Sequence, residues 1–265
     1  TIYANFEWRS AIRKKVRLSE VLLDKPEINV IFHTDGGSNW PTTAPRKDKK
    51  KRGLDLIISK VDCDNMTVVV DQKRVPLKFS VTDLETYVEY DYKAHNYAAP
   101  TSFKNGLLKI QNFEIFRFDL KSEYRIISDR VAFERLFILS NRSKFYFAGD
   151  MYNLKDPFFD FHFHSRISID QAKQMLRLGP EMSGAGNFRG IYKGTFARFR
   201  LQGHGDFKNF IFYSLPIDNA NFDLDMTDNW LNVNNIRASM FDGSYTGTFS
   251  IAPLKGISVY NADAK

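Results

Sequence analysis

Cysteine, tryptophan and long apolar runs are scarce in this chain of 265 residues. Its one cysteine, Cys63, cannot form an internal disulfide and does not support a cysteine-based zinc site. No apolar run is longer than four residues, whereas a membrane-spanning helix needs about 20, so the sequence predicts no such helix. With only 15 Gly and 9 Pro, the composition also argues against a disordered chain.

Phenylalanine is abundant instead, with 24 Phe and 12 Tyr against 3 Trp. Such a composition is typical of a large β core or of an apolar lining. Apolar and polar residues alternate with period two in many short runs, which predicts antiparallel strands with one apolar face and one solvated face. The apolar positions of the clearest runs are Phe116, Phe118, Leu120, Phe159, Phe161, Phe163, Phe222, Leu224, Met226, Tyr245, Phe249 and Ile251.

Turn dipeptides separate neighbouring alternating runs, which favours sequential hairpins. The sequence therefore predicts at least ten antiparallel strands. The predicted turns are at Asp35-Gly36, Asn105-Gly106 and Asp242-Gly243.

One helix is predicted, over residues 168–178. Ser168 and Gln171 have the spacing of a capping box, and Gly179-Pro180 is a stop signal. The runs before the helix are irregular and charged, whereas those after it are regular and rich in glycine. We therefore predict a β region at 1–165, a helix and boundary at 166–183, and repeat strands at 184–265 that continue the same sheet.

A Gly-x-Phe unit recurs in the second half of the chain. Because residues i and i+2 of a strand share a face, each unit places a missing side chain beside a large ring. That arrangement favours either the seating of an aromatic ring from the neighbouring strand or a sharp bend of the sheet. The four units are Gly186/Phe188, Gly194/Phe196, Gly205/Phe207 and Gly247/Phe249.

Positive charge is concentrated in one place. Residues 46–52 carry +5 of the net charge of +7, so the rest of the chain is nearly neutral. A nucleic-acid-binding domain would instead spread basic residues over a folded face, so we expect no nucleic-acid partner. The run lies in a basic loop predicted at 41–53. It is either a solvated hairpin tip or a patch attracted to anionic headgroups or an acidic partner.

The strongest candidate for chemistry is a set of three polar residues on one strand face: Asp160, His162 and His164. Their types suit zinc or copper, but the sequence specifies no fourth ligand, and a plain polar face is the simpler interpretation. No phosphate-binding loop, nucleophile elbow or acid/base pair is present in the sequence. We therefore expect a protein that is not an enzyme, with no catalytic residues and no cofactor.

Residues 16–41, VRLSEVLLDKPEINVIFHTDGGSNWP, resemble the N-terminal segment of the AsmA/TamB family of the Gram-negative envelope. In that family a strand runs into a Pro-containing turn, a second apolar strand, an Asp-Gly turn and an Asn. Here Pro26, Asp35-Gly36 and Asn39 match the pattern, and the extra Gly37 departs from it. The segments SGAGNFRGIYKG and RASMFDGSYTGTFSIAPL also resemble TamB-type repeat strands.

The resemblance implies a mainly β fold, a long curved antiparallel sheet forming an open apolar groove (a β-taco). It also implies a lipid conduit in the periplasm that passes phospholipids between the inner and outer membranes and binds their acyl chains. We expect the twelve apolar positions above to line this groove. The chain starts with neither an initiator Met nor a signal peptide, so we expect a fragment. Its anchor, an N-terminal helix in the inner membrane, would lie outside these residues.

Two other functions remain open at this stage. Within the same family, the chain would be a scaffold for the assembly or translocation of outer-membrane β-barrel proteins, through exposed sheet edges and an outer-membrane assembly partner. Outside it, the chain would be a β-sandwich binding module such as an adhesin or carbohydrate-binding domain, in which the apolar face is simply core. A sandwich needs Greek-key connections, whereas a groove needs sequential hairpins.

Overall fold

In a computed structural model the chain is mainly β, with about 80% of its residues in strands. The structure describes residues 1–6, 15–39, 55–73, 76–110, 114–153, 157–176, 181–195, 197–253 and 259–265. The predicted fold class, an open curved sheet with one short helix near 168–178, is confirmed. The predicted basic loop at 41–53 lies outside the described residues. Two compact units divide the chain, unit 1 at Thr1–Ile126 and unit 2 at Ile127–Lys265.

Unit 1 contains the first eight strands. From β5 onward each strand pairs antiparallel with the next one along the chain. The strands are β1 (Ile2–Phe6), β2 (Lys15–Asp24), β3 (Glu27–Phe32), β4 (Asp55–Ile58), β5 (Lys60–Gln72), β6 (Leu77–Asp91), β7 (Asn96–Ile110) and β8 (Phe116–Ile127).

The prediction of at least ten antiparallel strands is confirmed, and the beginning of unit 1 adds parallel pairings that were not predicted. β2 pairs parallel with β4 and β5, and β3 pairs parallel with β5, so Pro26 does not reverse the chain. Lys25 adopts a φ of 53°, and the backbone N–H of Lys25 still donates to the Asp64 carbonyl at 2.9 Å. The Pro26 carbonyl accepts from the Thr67 N–H, also at 2.9 Å. Proline lacks only a donor, so it interrupts the strand while remaining in the sheet.

Asn39 protects the outer edge of β3. Its side-chain oxygen accepts from the Ile31 N–H at 2.7 Å, and its side-chain nitrogen donates to the Asn29 carbonyl at 2.8 Å. The predicted Asp35-Gly36 turn brings it there, with the Gly36 N–H donating to the His33 carbonyl. The Asn39 side chain therefore forms hydrogen bonds with backbone groups of β3 that would otherwise be unpaired at the sheet edge.

Three polar residues with left-handed backbone bend the middle of unit 1. Asn65, Asp83 and Asn105 have φ values of 54°, 55° and 56° and lie inside β5, β6 and β7. The pairing register shifts beside Asn65 and Asn105, which marks β-bulges, and bulges bend a strand and increase its twist. The prediction of a hairpin turn at Asn105-Gly106 is therefore wrong. A left-handed residue serves a bulge as well as a turn, and only the pairing distinguishes them.

Unit 2 contains nine described strands, and each pairs antiparallel with the next, as sequential hairpins require. The described pairing contains no Greek-key return, which argues against the sandwich. The strands are β9 (Arg130–Ser140), β10 (Ser143–Tyr152), β11 (Phe158–Ser168), β12 (Met182–Gly194), β13 (Phe199–Phe212), β14 (Leu215–Thr227), β15 (Leu231–Met240), β16 (Gly243–Ala252) and β17 (Val259–Ala264).

The predicted turn at Asp242-Gly243 is displaced by one residue. Phe241 and Asp242 form the turn, with φ values of 50° and 61°, and Gly243 is the first residue of β16.

The predicted helix is confirmed as α1 (Ile169–Leu176). The Ser168 hydroxyl accepts from the Gln171 N–H at 3.4 Å, as an N-cap does, and the Ser143 hydroxyl accepts from the Ser168 N–H at 3.0 Å. Gln171 also donates to the Ser140 hydroxyl at 2.6 Å. These bonds hold the start of the helix to the β9–β10 turn. No helix in the described part of the chain has the length and apolarity to cross a bilayer.

The boundary predicted at 166–183 falls inside unit 2. β11 and β12, the strands on either side of α1, pair directly over ten residues from Phe159↔Gly194 to Ser168↔Ala185. The helix is therefore a connection within one sheet. The chain passes from unit 1 to unit 2 earlier, after Ile126.

Candidate functional site

One face of unit 2 collects the predicted apolar residues of that unit. The strand register places Phe163, Gly190, Gly203, Leu224, Val233 and Phe249 in one row across β11–β16. A second row holds Phe161, Tyr192, Leu201, Met226, Leu231 and Ile251. Phe159, Phe222 and Tyr245 share this face by strand alternation. We call this surface the apolar face.

A chain of aromatic rings crosses the apolar face from strand to strand. Phe147 lies 5.9 Å from Phe163, and Phe163 lies 5.5 Å from Phe188, between ring centroids. Phe222 continues the chain, stacked on Phe188 at 6.5 Å and on Phe207 at 5.6 Å. Aromatic pairs at such separations contribute about 0.5–1.5 kcal/mol each beyond their burial. Ring contacts therefore organise this face without closing it into a packed core.

Glycines seat two of these rings. A Cβ at Gly186 would collide with the Phe207 ring of β13, and a Cβ at Gly205 would collide with the Phe222 ring of β14. The predicted seating of a neighbouring strand's aromatic is therefore confirmed at these two units. At Gly247 a Cβ would meet the Asp263 backbone carbonyl instead of a ring. The unit with Phe196 lies partly outside the described residues.

A groove of about 440 Å³ opens on the apolar face over β10–β13. This volume lies within the range of small-molecule sites, roughly 300–1,000 Å³. Phe161, Ser165 and Phe188 are buried, and the other lining side chains are half-buried. The lining residues are Phe145, Phe147, Phe159, Phe161, Phe163, Ser165, Ile167, Phe188, Tyr192 and Leu201.

The few polar groups of the groove are satisfied by the protein. The Ser165 hydroxyl donates to the Phe188 carbonyl at 3.0 Å, and the Tyr192 hydroxyl donates to the Thr195 carbonyl at 3.0 Å. Burial raises the pKa of Tyr192. Because its hydroxyl is already bonded, the groove presents hydrocarbon to a ligand and offers few positions for directional recognition.

Of the ten lining residues, sequence reasoning predicted three, Phe159, Phe161 and Phe163. The seven that it missed are Phe145, Phe147, Ser165, Ile167, Phe188, Tyr192 and Leu201. Phe145 and Phe147 alternate with Tyr146 and Ala148, and the aromatic Tyr146 hides the period-two signal. Phe188 and Tyr192 were visible in the sequence as the rings beside Gly186 and Gly190, so the glycine spacing was the better signal.

The three predicted residues of unit 1 lie in a different environment. Phe118 is buried, with its ring 5.4 Å from Phe103 and 6.1 Å from Phe79. Phe116 stacks on Phe118 at 5.3 Å, and Leu120 pairs across the strands with Phe103. Phe118 is buried in this cluster, whereas Phe116 and Leu120 are half-buried. The groove over β10–β13 is lined by residues of unit 2, so the place of these three residues in a lipid groove stays a prediction.

Known proteins give no further guide to the chain. No protein-family model, no curated protein and no solved structure matches it.

The weak metal candidate lies on the reverse, polar face of β11. Asp160 forms an ion pair with Lys193 at 2.8 Å, and the His164 ring stacks on Tyr146 at 4.5 Å. Asp160 and His164 are about 13 Å apart along a strand, too far for one ion with bonds of about 2 Å. Within the described ranges no group of three His, Cys, Asp or Glu is arranged to hold a metal.

Ion pairs and hydrogen bonds tie the polar face together farther along unit 2. Arg200 donates to both carboxylate oxygens of Asp225, at 3.0 and 2.7 Å, and these bonds lower the pKa of Asp225. Asn235 donates to Asp223 at 2.7 Å, and His204 contacts the same carboxylate at 2.9 Å. The hydrogen bond from Asn235, followed by that from His204, lowers the pKa of Asp223.

Proposed function

We propose that this chain is a non-enzymatic lipid-conduit segment whose apolar face holds the acyl chains of phospholipids. The observation that carries the proposal is a half-buried wall of rings and aliphatic side chains on an open sheet. Such a surface costs free energy in water unless something apolar covers it. An acyl chain gains about 0.8 kcal/mol for each methylene it buries there.

The lining explains which part of a phospholipid such a face suits. The polar atoms of Ser165 and Tyr192 are already bonded, so the groove contributes hydrophobic contact and little directional recognition. Sequential strands repeat the same face, so an acyl chain meets similar surface as it moves from one row to the next. A conduit needs this property, whereas an enzyme needs one fixed site with positioned polar groups.

The cellular setting belongs to the same proposal and rests on the AsmA/TamB resemblance. The segment works in the periplasm, between the inner and outer membranes, and an N-terminal helix outside these 265 residues anchors it to the inner membrane. Its partners are phospholipid acyl chains, with no role for nucleic acid.

A scaffold for outer-membrane β-barrel assembly is the second candidate. β17 (Val259–Ala264) pairs only with β16 among the described strands, and such an edge can accept an added strand. The half-buried apolar face favours the conduit, because strand addition through backbone hydrogen bonds does not require it.

Site-specific photo-crosslinking tests the conduit with neighbouring residues as controls. A photoreactive amino acid at Phe163 or Phe249, on the apolar face, should crosslink to phospholipid in cells. The same group at His162 or Thr248, one residue away on the opposite face, should not. Equal labelling of both faces, or of neither, would contradict the proposal. Labelling of outer-membrane proteins from β17 alone would favour the scaffold.

Native mass spectrometry of the purified chain provides the independent measurement. We expect co-purifying phospholipid that is lost in the Phe163→Asp variant and retained in the His162→Asp variant. Both variants must keep the wild-type circular dichroism spectrum for the comparison to count.

A further inference from the structure

Two hairpin turns of unit 2 carry aromatic residues where turn chemistry disfavours them. Tyr213 and Ser214 join β13 to β14 with φ values of 50° and 63°, and Phe241 and Asp242 join β15 to β16 with φ values of 50° and 61°. Positive φ at both central residues defines a type I′ turn, which favours Asn-Gly. A bulky side chain in left-handed backbone is strained. These two turns are therefore less stable than the same type I′ turns would be with Asn-Gly at their centre.

The aromatic side chains of these turns are also among the most exposed in the unit. Tyr213 is 61% exposed and Phe241 is 66% exposed. At the first tip, Phe212 packs edge-on against Tyr213 at 4.9 Å, and Phe212 and Leu215 are themselves exposed. Hydrogen bonds to Glu181 hold the first turn: the Tyr213 N–H donates to the Glu181 carbonyl at 2.8 Å, and the Ser214 hydroxyl donates to the Glu181 carboxylate at 3.1 Å. Both rings nevertheless stay exposed. Strained residues cluster at functional sites.

Both tips lie at the same edge of the unit 2 sheet. β13, β14, β15 and β16 are consecutive antiparallel strands, so the β13–β14 and β15–β16 turns project in one direction and the β14–β15 turn in the other. Two strand spacings separate the tips, about 10 Å. The molecule therefore presents two adjacent tips with exposed aromatic rings along one edge. Each tip also carries a carboxylate, Glu181 beside the first and Asp242 in the second.

We infer that the Tyr213 and Phe241 tips insert into the interfacial layer of a lipid bilayer. Tyrosine and phenylalanine suit this layer, and tyrosine pairs an apolar ring with a hydroxyl that stays wet. The exposed rings lie on two separate tips, whereas a standard protein interface buries a single surface of roughly 800 Å² per partner. A bilayer needs no matching surface. The inference does not depend on what fills the groove.

Replacing the tips with their preferred turn sequence separates function from folding. The paired changes are Tyr213→Asn with Ser214→Gly, and Phe241→Asn with Asp242→Gly. Because Asn-Gly fits a type I′ turn, the doubly replaced protein should melt at the same temperature as the wild type or higher. Its binding to vesicles of phosphatidylcholine alone should fall at least about tenfold. The zwitterionic lipid removes electrostatic attraction of the basic residues.

Tyr146→Ser is the matched control. Tyr146 is 43% exposed but lies on the polar face of β10, within the sheet and away from the tips, so this change should leave vesicle binding unaltered. Phe241→Trp adds a direct readout, because insertion should shift its fluorescence to the blue and allow quenching by brominated acyl chains.

Three results would overturn the inference: no vesicle binding by the wild type, unchanged binding after both tips are replaced, or an unshifted Trp spectrum. If the wild type does not bind vesicles, the exposed rings would be assigned to contact with a protein partner. Fatty-acid binding in the groove, measured on the same tip variants, should be unchanged. Failure of this inference is thus distinguishable from failure of the lipid conduit.

Discussion

Unit 1 and unit 2 alternate apolar and polar residues in the same way, yet their apolar residues end in different environments. In unit 1, Val81 is 2% exposed and Ala99 is fully buried, and the rings of Phe79, Phe103 and Phe118 pack on one another. In unit 2, Phe161 and Phe188 are buried too, but no hydrophobic residue described after Ala220 is buried. The same strand pattern therefore produces a core in unit 1 and, from β14 onward in unit 2, a half-buried wall.

The positions of the bulges differ between the two units. In unit 1, left-handed Asn65, Asp83 and Asn105 fall at neighbouring positions of three adjacent strands, and the buried Met66, Leu84 and Phe103 lie next to them. In unit 2, Asn209 of β13 lies beside Gly184 of β12, whereas Asn235 of β15 lies in another row. A line of bulges over three adjacent strands bends them together and brings their apolar residues close, and two neighbouring bulges do so over a shorter width.

The largest effect we expect is from a charge placed on each apolar surface. Phe103→Asp in unit 1 should lower the free energy of unfolding by about 3 kcal/mol or more, because the carboxylate would be buried without a partner. Phe222→Asp in unit 2 should cost clearly less, because the charge stays hydrated on a half-buried face.

Urea unfolding of the two variants measures this contrast. Equal losses would show that the unit 2 face is a core after all. Native mass spectrometry of the folded Phe222→Asp variant should show less bound phospholipid than the wild type, and an unchanged amount would contradict the proposed conduit.

The bulge line of unit 1 should be sensitive to the left-handed backbone that it requires. Asn105→Val should destabilise the protein by about 1–3 kcal/mol, because a β-branched residue is strained at a φ of 56°. Asn105→Gly is the matched control and should be nearly neutral, because glycine adopts this conformation freely. Thermal melting distinguishes them. Similar melting temperatures for the two variants would exclude the bulge as the origin of the bend.

The glycine seats of unit 2 should show coupling with the rings they hold. Gly205→Ala should cost about 1–2 kcal/mol, because the new methyl group displaces the Phe222 ring. In a Phe222→Leu background the same change should cost less, since no ring covers the glycine. A double-mutant cycle measures the difference. Strictly additive losses would mean that the ring and the glycine do not interact.

The smallest effect we expect is at acidic pH, on the polar face of unit 2. The pKa values of Asp223 and Asp225 are lowered in the folded protein, so their contribution is complete above the unfolded pKa of about 3.9. It is lost as the pH falls below that value through the folded pKa. Because the pairs are exposed, the loss should be small. Urea unfolding of the wild type and of Arg200→Gln at pH 3 and pH 7 measures it. The urea midpoint of Arg200→Gln should lie farther below that of the wild type at pH 7 than at pH 3. An equal difference at both pH values would contradict the prediction.

The sequence by itself determined the strand content, the faces and the helix. Period-two alternation is local, so Phe222, Leu224 and Met226 had to share a face whatever the fold, and the Ser168 cap and Gln171 spacing placed α1 correctly. The Gly-x-Phe spacing likewise anticipated the seats at Gly186 and Gly205. These features depend on residues close together in the chain.

Only the tertiary structure decided which strands pair and which faces are covered. Pro26 was expected to turn the chain and instead interrupts a strand parallel to β5, and Asn105-Gly106 is a bulge, because a left-handed residue permits either arrangement. Phe118 lies in a core and Phe163 in a groove, although both alternate with polar neighbours. Burial depends on contacts between distant segments, and a local pattern contains no information about those contacts.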